Sequence, residues 1–69
     1  YETTSVRCDS RDNLRARCAT RVLGIEARVT YQRSRAECIS GRTYGLEDGG
    51  RTLWVDGGCR GEFEVSYRR

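Results

Sequence analysis

The stretch Thr52-Leu53-Trp54-Val55-Asp56-Gly57-Gly58-Cys59-Arg60-Gly61-Glu62-Phe63-Glu64-Val65-Ser66-Tyr67 decides the fold. Leu53 and Val55 alternate with Thr52, Trp54 and Asp56, and Phe63, Val65 and Tyr67 alternate with Glu62, Glu64 and Ser66. Alternation with a period of two places apolar side chains on one face of a strand and polar ones on the other. Gly57-Gly58 separates the two strands, since paired glycines supply the positive φ angles of a tight turn.

The same alternation extends toward the N-terminus. Val6 and Cys8 alternate with Arg7 and Asp9, and Leu14, Ala16 and Cys18 alternate with Arg15 and Arg17. The turn formers Ser10-Arg11-Asp12-Asn13 lie between them, so residues 5–19 are expected to form a hairpin. Ala27, Val29 and Tyr31 mark a further strand, and Tyr44 and Leu46 precede a turn at Glu47-Asp48-Gly49-Gly50. Residues 33–41 admit one short helical turn, with Ser34 three positions before Glu37 and Gly41 ending it. The expected architecture is all-β: a small antiparallel sheet or partly closed barrel of five to six short strands, in a single domain over residues 1–69. Its wet face is expected to set Arg15 and Arg17 against Glu62 and Glu64.

A chain of 69 residues with 36% hydrophobic content, one Phe and one Trp gains little margin from core packing alone. Cys8, Cys18, Cys38 and Cys59 meet that need as two disulfides. A zinc site is disfavoured: the gaps are 10, 20 and 21 residues, no C-x-x-C pair occurs, and the chain has no His. Terminal strands of small β domains are often neighbours, which favours Cys8 with Cys59 and Cys18 with Cys38. A hairpin centred on Asn13 instead places Cys8 opposite Cys18 and leaves Cys38 for Cys59. Disulfides point to an oxidising compartment, so the protein is expected to be secreted or periplasmic. The start at Tyr1, with no signal segment, is the form expected of a processed chain, and no apolar run has transmembrane length.

All thirteen basic residues are Arg, against ten acids. Eight Arg and four acids fall in residues 1–36, giving that half +4; five Arg and six acids in residues 37–69 give −1. A total of +3 is too small to argue for nucleic acid as a partner. The Arg-rich half, with Arg7, Arg11, Arg15, Arg17, Arg21, Arg28, Arg33 and Arg35, admits an anionic partner such as a sulfated glycan or lipopolysaccharide. A solvated strand face explains these residues equally well.

Cys8-Asp9-Ser10-Arg11-Asp12-Asn13, Arg15 to Cys18, Gly41-Arg42-Thr43-Tyr44-Gly45, Leu53-Trp54-Val55-Asp56 and Gly58-Cys59-Arg60-Gly61-Glu62-Phe63 resemble, in order and spacing, a family of secreted bacterial domains of unknown function, number 3011 in that series. The resemblance runs over about residues 6–65. Tyr44 stands where that family commonly has Trp, Gly61 where it has Ala, and the turn at residues 47–51 is longer and more polar. The resemblance implies secretion, disulfides and a β fold, and promises no activity.

The absence of His and Lys removes the Ser-His-Asp triad, the Cys-His pair and Schiff-base chemistry. Glu47 or Asp48 with Asp56 would be needed as an acid–base pair, yet a domain this small rarely forms a substrate cleft, so no catalytic residues are expected. The turn lacks the spacing of a calcium loop, and neither metal nor cofactor is expected. If Leu53 and Val55 point inward, Trp54 points outward beside Asp56, with Tyr44, Arg42, Glu47, Asp48 and Arg51 as further rim candidates. An aromatic face flanked by carboxylates and guanidiniums suits a sugar, whose C–H face covers the ring while its hydroxyls take the polar groups. A lone Trp in such a chain is ordinarily its main core residue, and that reading competes with the outward one. The expected function is a lectin-like, non-catalytic carbohydrate-binding module with a glycan as partner. The alternative is a small inhibitor of a secreted hydrolase such as a lysozyme or protease, inserting the turns at residues 47–50 and 57–60. An exposed edge strand would also allow a homo-oligomer. Since the bridges carry the stability, reduction with dithiothreitol is expected to abolish the cooperative thermal transition seen by circular dichroism.

Overall fold

The computed structural model describes residues 1–68. Six strands form: β1 (Glu2–Asp9), β2 (Ala16–Ala19), β3 (Gly24–Gln32), β4 (Tyr44–Glu47), β5 (Thr52–Val55) and β6 (Arg60–Tyr67). They make two antiparallel three-stranded sheets, one ordered β1-β6-β3 and the other β2-β5-β4. The sheets face each other and are not closed into a barrel.

The expected alternation holds on both central strands. Leu53, Val55, Phe63 and Val65 are fully buried, joined in the core by Val6, Cys8, Tyr44 and Cys59. The Tyr44 and Phe63 rings meet at 5.0 Å between centroids and 52° between planes, a tilted contact across the two sheets. The β5–β6 connection crosses between sheets in a tight turn: the Asp56 carboxylate accepts the Gly57 N–H at 2.8 Å, and the Cys59 N–H donates to the Asp56 carbonyl at 3.1 Å.

Residues 5–19 do not form a hairpin. β1 runs along β6 and β2 along β5, so the two segments belong to different sheets. The physical reason lies in residues 10–14. Asp12 and Asn13 take positive φ (54° and 60°), and the chain turns through a 3₁₀ segment (Arg11–Asn13) away from β1. Ser10, 1% exposed, locks this corner: its hydroxyl donates to the Leu14 carbonyl at 2.7 Å and accepts the Gly58 N–H at 3.1 Å.

The bridges are Cys8–Cys18 and Cys38–Cys59, which overturns the preference for Cys8 with Cys59 and Cys18 with Cys38. Neighbouring terminal strands were the ground for that preference, and β1 and β6 are indeed neighbours. However, Cys8 lies opposite Gly61 with its side chain turned into the core, where β2 of the other sheet presents Cys18. The first bridge therefore clamps the two sheets together at the β1–β2 side. The second ties the irregular segment before β4 to the start of β6. Closing loops of 10 and 21 residues, each contributes about 3 kcal/mol by restricting the unfolded chain.

The helical turn expected within residues 33–41 is absent: the Ser34 hydroxyl donates to the Ala36 carbonyl at 2.7 Å instead of capping a helix. The wet faces are also paired differently. Glu64 meets Arg28 at 3.0 Å and Glu62 meets Arg33 at 3.9 Å, because β3 flanks β6; Arg15 and Arg17 lie on the other sheet and meet Glu47. Gly50 has φ +90°, and a Cβ there would lie 2.0 Å from the Gly24 carbonyl oxygen, so only glycine lets the β4–β5 turn dock on β3. The buried Thr20 hydroxyl donates to the Gly50 carbonyl at 2.8 Å and holds that contact.

Non-reducing peptide mapping is expected to recover Cys8 linked to Cys18 and Cys38 linked to Cys59. Phe63→Ala removes the ring between the sheets and is expected to cost about 3–5 kcal/mol in urea unfolding.

Candidate functional site

With Leu53 and Val55 in the core, Trp54 stands on the outer face of the β2-β5-β4 sheet, half-buried. The register places Arg17 and Gly45 on either side of it, and sets Glu47 beside Thr52 one row along. Gly45 has no side chain to lift the indole. A Cβ at that position would lie 2.9 Å from the ring, so the indole lies across the β4 backbone. The Arg15 guanidinium covers the ring at 4.3 Å from its centroid, a cation–π contact contributing roughly 0.5–1 kcal/mol at an exposed site. Glu47 holds both arginines: Arg17 Nε donates to its Oε2, and Arg15 Nη2 lies 3.8 Å from its Oε1. Exposed ion pairs contribute about 0–1 kcal/mol each, so their effect here is to fix geometry around the indole.

Trp54 also borders a groove of about 370 Å³ where the free edge of β4 approaches β3. Leu46 and Ile25 line it with apolar surface, and Glu26 and Ser40 supply a carboxylate and a hydroxyl. Ile25 is 55% exposed because the β3–β6 register slips between Gly24 and Glu26, interrupting the alternation that would have buried it. Nothing in the sequence marks that bulge, and an Ile in a strand pattern is ordinarily read as core.

The other rim candidates are dispersed. Tyr44 is 5% exposed and packs on Phe63, which removes it from any rim. Asp56 is half-buried and its carboxylate serves the Gly57 turn. Arg42 and Asp48 are exposed outside the groove. Arg51 borders a separate hollow with Arg21, Val22 and Leu23. Among the described residues no group of three or more His, Cys, Asp or Glu stands close enough to hold a metal ion. The site thus gathers Trp54, Arg15, Arg17 and Glu47 on one face and Glu26 and Ser40 in the adjoining groove. Glu26 and Ser40 were missed by sequence reasoning, since only the sheet-to-sheet approach of β3 and β4 brings them to the indole.

Comparison with known proteins gives the family. A family model described as a protein of unknown function (DUF3011) matches residues 2–69. The chain belongs to that family. Lectin ADEL of Aplysia dactylomela is 50% identical to it over 40 residues, which are 58% of this chain and 18% of that protein. The chain therefore spans less than a fifth of the length of this curated relative. No solved structure matches. For this DUF3011 chain the stacked Arg15–Trp54 pair is directly testable. Arg15→Ala uncovers the indole and is expected to raise acrylamide quenching of the single Trp. Gly45→Ala is expected to displace the ring and shift its emission without a comparable loss of stability.

Proposed function

We propose that this chain is a lectin-like module that binds carbohydrate without changing it chemically, outside the reducing cytoplasm. The observation that carries the reading is the half-exposed Trp54 at the rim of the β3–β4 groove, where an aromatic edge, the apolar surface of Leu46 and Ile25, the Glu26 carboxylate and the Ser40 hydroxyl converge. A pyranose has the complementary pattern: an apolar C–H face for the indole and vicinal hydroxyls for the carboxylate. Arg15 covers the indole at 4.3 Å and must move aside for a sugar to stack on the ring. Identity over 40 residues with a protein named as a lectin supports the same reading. Two disulfides suit an extracytoplasmic setting, and no helix of the described residues is long and apolar enough to cross a membrane.

The test is a glycan array in monomeric and multimeric formats, followed by titration of any hit. Trp54→Ala is expected to weaken binding about tenfold or more, about 1.4 kcal/mol or above, while the disulfide-bonded fold persists. Glu26→Gln is expected to weaken the same ligand by a smaller factor. No binding in either format, or binding indifferent to Trp54, sinks the proposal.

A further inference from the structure

The end of the sandwich away from the β4–β5 turn carries a second groove, of about 390 Å³, which shares no lining residue with the Trp54 groove. Three guanidiniums, Arg33, Arg35 and Arg60, line it against a single carboxylate, Asp12. Arg7 pairs with Asp9, Arg15 and Arg17 with Glu47, Arg28 with Glu64, and Arg33, in this groove, with Glu62 at 3.9 Å. Arg35 and Arg60 have no carboxylate within salt-bridge distance among the described residues. Arg33 follows the last β3–β6 pair, Gln32 with Gly61, and its N–H donates to the Arg60 carbonyl at 2.8 Å, so two arginines are backbone neighbours across the strands. Like charges on neighbouring strands are unfavourable by themselves and become favourable when an anion sits between them.

The frame holding these side chains is rigid. Cys59, next to Arg60, is bridged to Cys38; the Arg60 N–H donates to the Ser34 hydroxyl at 3.1 Å; and Ser10 ties the facing loop to Gly58. The Asn13 carboxamide lies over Gly58 and makes no hydrogen bond within the described residues, leaving its amide N–H groups for a ligand. The lining contains no aromatic residue on which a nucleobase would stack and no large apolar side chain to enter a bilayer.

We propose that this groove is an anion-binding site that takes the sulfate or carboxylate group of an acidic polysaccharide, held by Arg33, Arg35 and Arg60. The choice of a polysaccharide rests on the glycan reading above; the choice of an anion rests on these residues alone. Guanidinium forks offer paired N–H donors to either oxyanion.

Calorimetric titration of the full chain with a sulfated glycosaminoglycan hexasaccharide, an oligogalacturonate hexamer and maltohexaose tests the site. At least one acidic probe is expected to bind, weakening as salt rises, while maltohexaose leaves the groove empty. Whichever acidic probe binds identifies the group as sulfate or carboxylate. Arg60→Gln and Arg35→Gln are each expected to weaken binding about tenfold, and Arg21→Gln, outside the groove, by less than about twofold. In the unaltered protein, amide shifts on titration are expected at residues 12–13, 33–36 and 58–60, which keeps the test independent of how the variants fold. Trp54→Ala is expected to leave acidic-probe binding intact, so the two sites fail separately. The proposal is overturned if neither acidic probe binds, if the three Arg variants weaken binding alike, or if the shifts centre on Trp54.

Discussion

The dry contact between the inner faces of β5 and β6 is the constraint on which everything else depends. Leu53 and Val55 from one sheet meet Phe63 and Val65 from the other, and all four are sealed from solvent. The two strands are consecutive in sequence, joined by a turn too short to allow any partner between them, yet each sits at the centre of a different sheet. That crossing assigns every other strand its place. β1 and β3 add to the sides of β6, and β2 and β4 to the sides of β5, each bringing one or two apolar side chains to a core that β5 and β6 define.

A sandwich of six short strands has open sides, and here each is managed by a local device. Cys8–Cys18 closes the side where β1 faces β2. On the opposite side, the docking of Gly50 on Gly24 and the Thr20 hydroxyl bring the β4–β5 turn against β3. Between that contact and Cys38–Cys59 the strands β3 and β4 part slightly, and the gap is the Trp54 groove. The candidate site is therefore a by-product of closing the sandwich with covalent and hydrogen-bonded ties at its ends while its middle is left without a continuous hydrogen-bonded ladder.

Much of the strand content was legible because alternation is a local signal. Val6 with Cys8, Ala27 with Val29, Leu53 with Val55 and Phe63 with Val65 each announce an inward face within five residues. Alternation also pointed Trp54 outward once Leu53 and Val55 were inside, against the composition argument, which favoured the lone Trp as a core residue and which its half-buried position on the outer face overturns. Local reasoning failed where pairing is non-local. Ser10 to Asn13 has the composition of a hairpin turn, but the positive φ angles of Asp12 and Asn13 and the hydrogen bonds from Ser10 send β2 to the other sheet. Tyr44, placed on the rim for its nearness to Trp54 in sequence, lies on the inner face because its register partner is Val55, not Trp54.

The sequence by itself determined the class and the need: alternating runs broken by glycines make strands, and four cysteines in a chain with one Phe and no His make structural bridges. These follow from periodicity and composition, which are properties of neighbours in the chain. Which cysteines join, which arginines find a carboxylate and which, like Arg35 and Arg60, do not, and which residues reach Trp54 were decided only by tertiary structure. Each depends on strand order and register, and a shift of one residue or one sheet changes every partner while leaving the local pattern untouched.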